Sequence, residues 1–451
     1  MILLKDIHSL YTGSGEESGV DVLIEGNMVK SIGRSLEAPG AAGETETIDC
    51  STCVVMPGLV NTHHHFYQTL QRCVPAVQNE PLFTWLTTLY EIWKHLDEDS
   101  VYWSTLVACG ELLKTGCTTS TDQFYVFPRG TSGKFIDVEI EAASAIGMRF
   151  QPTRGSMSLG KSQGGLPPDE VVQTEDEILA DCERLIEKYH DPGFGAMVRI
   201  ALGPCSPFSV TRDLLVKTRV LADRTGVLLH THIAETEDEE RYCLEAYGKR
   251  PVELMEDCGW LGPDVWYAHG IHFNDHELDV LKKSGTGICH CPTSNMRFGS
   301  GAARVPEMIE MGIRVGLGVD GSASNDSSDM LAELRNCFLL HRLMGGGGAI
   351  TARQVIDLAT RGGASLLARD DIGTIAEGKA ADVIGIDIGD ISHAGALHDY
   401  IASTVICGGS HTVDFSIVNG KVVVREGRLT EVDETEVVRK ANEAALRMIS
   451  A

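Results

Sequence analysis

The sequence has no long apolar run and no apolar start of the kind that directs a chain into or across a membrane. Its longest apolar runs, such as Val315–Val319, are far shorter than the roughly 20 residues that a membrane-spanning helix needs. The first four residues are largely apolar, but Lys5 and Asp6 follow at once, so this segment lacks the core of a signal peptide. We therefore expect a cytoplasmic protein without a membrane partner.

Positive charge and aromatic residues are also scarce. The 451 residues include 64 acidic and 38 basic side chains, and the resulting net charge of −26 disfavours binding to nucleic acid. Aromatic residues make up 6% of the chain, whereas the hydrophobic fraction of 43% is sufficient for a folded core. The thirteen cysteines are odd in number and scattered from Cys50 to Cys407, which favours reduced thiols over a disulfide framework. Cys289 and Cys291 lie in an apolar run, which favours a core strand over a metal site.

What the sequence does contain is an ordered succession of strand and helix patterns. Residues 1–57 have the alternation and turn residues of short strands. Between residues 58 and 373, short apolar runs alternate with longer amphipathic stretches, a pattern typical of parallel βα units. We predict an α/β fold, namely a (β/α)8 TIM barrel over 58–373, a small β-sandwich domain formed by both termini, 1–57 and 374–433, and a C-terminal helix over 434–451.

Eight strands are predicted for the barrel: Leu59–His65, Thr118–Phe124, Met148–Thr153, Val198–Gly203, Leu228–His232, Val265–His269, Gly287–Cys291 and Arg314–Asp320.

Side chains that can bind a metal stand at the carboxyl ends of several of these strands. His63 and His65 close the first strand, and the strand period of two puts both imidazoles on the same face. His232 closes the fifth strand, His269 the sixth and Asp320 the eighth. Catalytic groups of a TIM barrel converge at this end, and imidazoles with one carboxylate suit zinc or iron(II) better than calcium or magnesium. The pattern therefore predicts a divalent-metal site.

Each of these signals is weak by itself. An isolated His-x-His pair is seldom a metal site. A lone buried histidine such as His269 is more often a hydrogen-bonded core residue, and Asp320 before Gly321 also fits ordinary turn chemistry. Their coincidence at strand ends one, five, six and eight favours the metal site over these separate explanations.

Glu235 lies three residues beyond His232, at the start of an acidic stretch. Its carboxylate could reach an attacking water without binding the metal, and it could carry a proton to a leaving amine. The acidic residues 237–240 are expected to form the solvated start of a helix instead. These residue types together predict metal-dependent hydrolysis.

At these residues the chain resembles the amidohydrolase superfamily. Residues 57–65, PGLVNTHHH, are similar to the family's P-G-L-[VI]-[ND]-x-H-x-H opening, residues 232–235 to its H-x-x-E, and residues 318–321 to its strand-eight aspartate. Residues 373–382, GTIAEGKAAD, resemble the return into the composite β domain. The resemblance extends over essentially the whole chain and implies a metal-dependent hydrolase.

The resemblance also indicates a branch of that superfamily. Members with two metals use a carboxylated lysine from strand four, and no lysine lies between Lys188 and Lys217, which bracket that strand. The implied cofactor is one divalent metal, zinc first and iron(II) second, as in the mononuclear deaminase branch. Its implied ligands are His63, His65, His232 and Asp320. The implied catalytic residues are Glu235, His269 and Asp320, with His269 orienting the attacking water.

Four segments, 61–70, 154–159, 203–209 and 268–274, resemble bacterial 8-oxoguanine deaminases and triazine hydrolases. The implied partner is a small heterocyclic substrate, 8-oxoguanine first, converted to uric acid and ammonia. The alternatives are an s-triazine hydrolase, a guanine or isocytosine deaminase and, remotely, a non-catalytic binding protein on the same barrel. One departure from the family stands after Asp122, where Gln123-Phe124 replaces an expected histidine pair and could alter substrate preference.

Four further residues are candidates for contacting the substrate. Gln68 could use its amide, Arg154 could donate to a ring carbonyl, and Trp85 could stack on the base. Cys205 could line the wall. Each also fits a packing or loop role, and that alternative stays open, as does assembly into a homo-oligomer.

Overall fold

The computed structural model describes residues 1–37, 45–407 and 412–451. The strands are, in chain order, β1 (Ile2–Ile7), β2 (Ser9–Tyr11), β3 (Glu16–Glu17), β4 (Val20–Glu25), β5 (Met28–Gly33), β6 (Glu46–Asp49), β7 (Cys53–Pro57), β8 (Leu59–Asn61), β9 (Cys117–Phe124), β10 (Arg149–Ser156), β11 (Ala201–Pro204), β12 (Leu228–Ile233), β13 (Val265–His269), β14 (Gly287–His290), β15 (Val315–Leu317), β16 (Val383–Asp387), β17 (Phe415–Val418), β18 (Lys421–Arg425) and β19 (Arg428–Leu429).

The helices are α1 (Leu82–Trp93), α2 (Glu98–Lys114), α3 (Phe135–Ile146), α4 (Glu175–Tyr189), α5 (Arg212–Thr225), α6 (Glu237–Tyr247), α7 (Pro251–Asp257), α8 (Asp275–Ser284), α9 (Pro292–Phe298), α10 (Val305–Met311), α11 (Met330–Gly345), α12 (Ala352–Asp357), α13 (Gly363–Leu366), α14 (Tyr400–Ile406) and α15 (Glu434–Ser450). Several of these helices begin after a residue whose side chain caps the helix N-terminus. Thr174 with Glu177 forms a reciprocal capping box before α4, and Asn274 with Glu277 does the same before α8.

Strands β8 to β15 form a closed parallel barrel. Each strand pairs with the next along the chain, and β15 pairs with β8 to complete the closure. Each of the eight predicted strands overlaps an observed one. The predicted (β/α)8 barrel is therefore confirmed.

The first and last barrel strands are shorter than predicted. β8 ends at Asn61 and β15 at Leu317, so His63, His65 and Asp320 lie beyond the regular strand pairing. The segments that follow the two strands are still hydrogen-bonded to each other, because the Asp320 N–H donates to the His63 carbonyl oxygen at 3.1 Å. Asp320 itself adopts a left-handed conformation with φ of 62°, which ends the extended chain.

Strands from both ends of the chain form two further sheets. One has the order β5-β4-β1-β6, and the other has the order β19-β18-β17-β16-β7-β2-β3. The antiparallel pairing of β7 with β16 joins N-terminal and C-terminal strands in one sheet. Val22 of the first sheet and Val55 and Val383 of the second belong to one buried apolar cluster. The two sheets therefore pack as the sandwich expected from both termini.

Within the described ranges the cysteines are free thiols; Cys73 is exposed, Cys407 is half-buried and the others are buried. Cys50 and Cys53, at Cys-x-x-Cys spacing before and at the start of β7, are both buried. Across the three described ranges, no helix combines the length and apolar character needed to cross a membrane.

Candidate metal and active site

The barrel brings the predicted histidines and aspartate together at the carboxyl ends of its strands. His63 and His65 follow β8, His232 lies in β12, and Asp320 follows β15. The Nε2 atoms of His65 and His232 are 3.2 Å apart, and Asp320 Oδ1 lies 3.4 Å from the Nε2 atoms of both His63 and His65. In a tetrahedral zinc site with metal–nitrogen distances of roughly 2.0–2.1 Å, neighbouring ligand atoms are about 3.3–3.4 Å apart. The observed spacing fits such a site.

Each of the three imidazoles has its Nδ1 atom engaged by a neighbour. His65 Nδ1 lies 2.9 Å from the carbonyl oxygen of Gln123, and His232 Nδ1 lies 2.6 Å from that of Cys205. A carbonyl oxygen can only accept, so each ring donates its Nδ1–H. A neutral ring then has its lone pair on Nε2, the atom that faces the common centre. The neighbours thus select the tautomer that a metal requires.

His63 is fixed in the same way through a second histidine, His230. His230 Nδ1 donates to the Trp266 carbonyl oxygen at 2.9 Å, which leaves His230 Nε2 as an acceptor for His63 Nδ1–H at 2.8 Å. Sequence reasoning missed His230. The signal was present, because His230 and His232 stand two apart on one strand, as His63 and His65 do in the first segment.

The electrostatics also suit a metal site. Burial lowers the pKa of His65 below the ordinary imidazole value, and it lowers those of His63 and His232 much further, which favours the neutral form that a metal binds. Burial would raise the pKa of Asp320, but the surrounding imidazoles, His63 foremost, hold it well below its usual range. His63 Nε2 is buried without a hydrogen-bond partner within the described parts of the chain. These donors could hold a divalent metal, and His63, His65 and Asp320 form one compact group of possible ligands.

Glu235 and His269 stand beside this group. Glu235 Oε2 lies 3.7 Å from His269 Nε2, while His269 Nδ1 lies 3.0 Å from the amide oxygen of Asn295. Burial raises the pKa of Glu235 to about 7. For His269, burial lowers the pKa, but the negative charges of Glu235 and Asp320 outweigh that effect and raise it. A carboxyl group with a pKa near neutrality can both give and take a proton.

Backbone strain is concentrated around these groups. Ala234, His269 and Asp320 all have left-handed φ values, of 55°, 74° and 62°, which non-glycine residues rarely adopt. Such conformations cost free energy and persist where surrounding contacts impose them, often at functional sites. Here they turn the chain at strand ends five, six and eight, next to the converging side chains.

A cavity opens directly over the candidate ligands. Its lining includes His65, His232, Glu235, His269 and Asp320, together with Gln68, Trp85, Tyr125, Cys205, Ser206 and Ser324 and an apolar wall of Leu82, Leu86, Tyr90, Phe208 and Phe298. Among the described residues, Gln68 Oε1 and Trp85 Nε1 are buried polar atoms without a hydrogen-bond partner. Both residues line the cavity, so their side chains are candidates for contacting a ligand.

The structure does not bring Arg154 to this cavity. Its guanidinium pairs with Asp181 at 2.8 Å, donates to Gln173 Oε1 at 2.9 Å and covers the ring of Phe127, with 3.9 Å between the guanidinium carbon and the ring centre. On a barrel strand alternate residues face opposite sides, and Arg154 faces the helical layer. The expectation of a substrate contact from Arg154 is therefore corrected.

The departure at Gln123-Phe124 also lies away from this cavity. The Gln123 carbonyl holds His65, and its side-chain amide donates to the Gly203 carbonyl oxygen at 3.1 Å. Phe124 packs edge-on against Tyr67, with ring centres 5.1 Å apart. Neither side chain lines the cavity described above.

A closed parallel barrel with imidazoles and a carboxylate grouped at its strand ends is the arrangement of metal-dependent barrel hydrolases. Residues 54–423 match the amidohydrolase family. An 8-oxoguanine deaminase from Pseudomonas aeruginosa is 45% identical over 447 residues, 98% of each chain. A hydroxydechloroatrazine ethylaminohydrolase from Pseudomonas sp. is 36% identical over 99% of this chain and 95% of its own. This chain belongs to the amidohydrolase family, and it is a hydrolase.

The similarity extends to solved structures. The crystal structure of atrazine chlorohydrolase from Arthrobacter aurescens, complexed with zinc, is 32% identical and has a TM-score of 0.94. The match covers 99% of this chain and 100% of that one. Both the barrel and the sandwich of terminal strands therefore have counterparts in a zinc-containing hydrolase.

Proposed function

We propose that this chain catalyses the hydrolytic deamination of an aminated heterocycle. The observation that carries the proposal is the group formed by Glu235, His269 and Asp320 in the wall of a cavity that the candidate metal ligands His65 and His232 also line. Deamination requires a nucleophilic water and a proton for the departing nitrogen. Groups suited to both tasks face the same cavity.

His63, His65, His232 and Asp320 would hold one divalent metal, zinc first and iron(II) second, since nitrogen and oxygen donors of this kind suit both. When bound, such a metal acts as a Lewis acid that makes water nucleophilic near neutral pH. The zinc in the Arthrobacter structure supports zinc as the first choice.

The ligand assignment is tested by metal content. Asp320→Asn should contain one equivalent of metal less than the wild type and should lose turnover, because the amide is neutral and a weaker ligand. His63→Ala should behave alike. Elemental analysis of dialysed, folded protein measures the difference. Wild-type metal content in both variants would contradict this ligand set.

In the proposed reaction, the chain's own groups move the protons. Asp320 is ionised and accepts a proton from the attacking water, while its Oδ2 is held by the Ser294 hydroxyl at 2.5 Å. His269, anchored by Asn295, orients that water. Glu235, with its pKa near 7, protonates a ring nitrogen, and the resulting carboxylate then takes the proton of the hydroxyl that has added to the carbon. The proton held by Asp320 passes to the amino group, which leaves as ammonia, so both carboxyl groups return to their starting states.

We rank 8-oxoguanine first among the substrates, with uric acid and ammonia as products. The relative from Pseudomonas aeruginosa bears that substrate's name and is similar over nearly the whole chain. The unpaired Gln68 Oε1 could accept a ring N–H, and Trp85 Nε1–H could donate to a ring carbonyl. Compared with guanine, 8-oxoguanine has one more carbonyl and one more ring N–H. A site that pairs such atoms rejects the analogue that lacks them, because buried groups are left unpaired.

The test compares kcat/KM for 8-oxoguanine, guanine and isocytosine under one condition, with the rate measured as ammonia release. We expect 8-oxoguanine to exceed guanine clearly, with isocytosine, which has the same amino-bearing edge, as a weaker substrate. A preference for guanine would contradict the assignment of 8-oxoguanine as the substrate, but it would still support deamination as the reaction.

A second candidate is hydrolysis of an s-triazine. It is favoured by the similarity to the Pseudomonas and Arthrobacter enzymes named for triazine substrates. The same nucleophile would displace an alkylamine or chloride instead of ammonia. Adding a hydroxy-triazine and a chloro-triazine to the panel separates the two, because the released group identifies the reaction.

A further inference from the structure

A second group of metal-binding side chains lies between the seventh barrel strand and a helix. His290 is the last residue of β14, and Cys337 and His341 lie on α11. Each offers one ligand atom within 4.8 Å of those of the other two. All three are buried, and none lines the cavity over the active site.

The local geometry explains how these residues meet. A side chain at Gly318 would contact Cys289 Sγ and His63 Cβ, at 2.6 and 2.9 Å, so Cys289 faces the barrel interior. Its neighbour His290 faces the opposite side, toward the helices. Cys337 and His341 are four residues apart and therefore lie on the same face of α11.

The donor atoms suit a thiophilic cation. The Nε2 atoms of His290 and His341 are 3.1 Å apart. Two nitrogens bound to one zinc at roughly 2.0–2.1 Å are separated by a similar distance, about 3.3 Å. A thiolate with two imidazoles favours zinc over oxygen-seeking cations such as magnesium.

We propose that His290, Cys337 and His341 bind a Zn²⁺ ion that is distinct from the ion of the active site. On binding, the Cys337 S–H bond breaks, a sulfur–zinc bond forms and one proton is released to solvent, with no change in oxidation state. The fourth position would be left to a small ligand such as water. The ion would crosslink β14 and α11. This structural role does not depend on which heterocycle the enzyme hydrolyses.

Cobalt(II) substitution tests the proposal on the intact enzyme. The ligand atoms are buried, so the protein is produced in cobalt-supplemented medium to load the ion as the chain folds. The proposed active-site ligands are imidazoles and a carboxylate. A near-ultraviolet band from thiolate-to-cobalt charge transfer therefore cannot come from the proposed active-site ligands, and its loss in a cysteine variant identifies the thiolate.

We expect this band in the wild type and its loss in Cys337→Ser. Cys205→Ser, which alters the cysteine near His232, and Cys109→Ser, which alters a buried cysteine of α2, should both retain it. In zinc-grown protein, Cys337→Ser should contain one equivalent less than the wild type and should keep turnover. If Cys337→Ser fails to fold, His341→Gln is measured in the same way. The proposal is wrong if active cobalt protein lacks the band or if the band persists in Cys337→Ser. Where His341→Gln is measured instead, the proposal is wrong if the band keeps its wild-type intensity and position.

Discussion

The acid–base group next to the candidate ligands is defined by a few side chains whose environments differ sharply. Glu235 is buried and has a pKa of about 7, whereas Glu237, two residues later, is exposed. Burial penalises the charged carboxylate, so the same residue type serves as a proton carrier at one position and as a solvated surface group at the other.

Glu235→Gln should keep the metal but lose activity by a factor of about 10²–10⁴ in kcat, because an amide can hydrogen-bond but cannot transfer a proton. Steady-state kinetics with parallel metal analysis checks this. Glu237→Gln is the matched control and should behave as the wild type. Near-normal turnover of Glu235→Gln would remove this residue from the mechanism.

His230 is a positioning residue for His63 and does not face the cavity. His230→Leu would leave His63 Nδ1–H without its acceptor at 2.8 Å, so the lone pair on His63 Nε2 would no longer be fixed. We expect metal affinity to fall by about 10–100-fold, as for other groups that orient metal ligands. The measurement is the free zinc concentration that restores half of the activity in a chelator buffer. His230→Gln, whose amide oxygen can accept from His63, should recover part of the affinity, and equal affinity in all three proteins would refute the role.

At the scale of the elements, the ends of β8 and β15 approach each other closely. The backbone of His63 passes Gly318, where an added Cβ would lie 2.6 Å from Cys289 Sγ and 2.9 Å from the His63 backbone nitrogen. A glycine is required here because the neighbouring groups belong to the packed barrel interior. This close approach holds His63 and Asp320 within reach of each other.

Gly318→Ala should therefore destabilise the protein by about 1–3 kcal/mol, the usual effect of overfilling a packed interior. Because the clash falls on His63, metal content should fall as well. Denaturant unfolding and elemental analysis measure the two effects. Gly347→Ala, where the new Cβ would meet no atom within 4 Å, should leave both unchanged. A stable, metal-containing Gly318→Ala protein would show that the strand ends can separate.

At the scale of the whole molecule, a buried ion pair joins the barrel to the sandwich of terminal strands. Arg149 of β10 donates to both carboxylate oxygens of Asp382, which precedes β16, at 2.9 and 2.7 Å. The side chains are 0% and 1% exposed. Arg149 also donates to the carbonyl oxygens of Gly195 and Ala196, so its donors are matched with acceptors.

Asp382→Asn should lower the free energy of unfolding by about 3–5 kcal/mol, because the Arg149 charge would stay buried without its counter-charge. The midpoint of chemical denaturation reports the change. Glu443→Gln removes one of the carboxylates that pair with Arg439, whose side chain is 54% exposed, and should cost less than about 1 kcal/mol. Equal effects of the two substitutions would mean that the junction does not depend on this pair.

Local patterns in the sequence were enough to predict the barrel, the sandwich of both termini and the types of donor at the strand ends. These features follow from local information, since periodicity sets strands and helices and the strand ends of a parallel barrel share one face. The sequence therefore predicts that four side chains lie near one another, namely those of His63, His65, His232 and Asp320.

Which atoms of these residues face one another depends on how distant segments pack, and local patterns do not specify it. Arg154 was expected in the cavity, but the direction of a side chain on a barrel strand depends on how the strands tilt and stagger on closure. His230 meets His63 across 167 residues of sequence, and the carbonyl oxygens that fix His65 and His232 belong to other strands. Such contacts are set by the packing of distant segments, because residue type and spacing specify a ligand but not the neighbour that selects its tautomer.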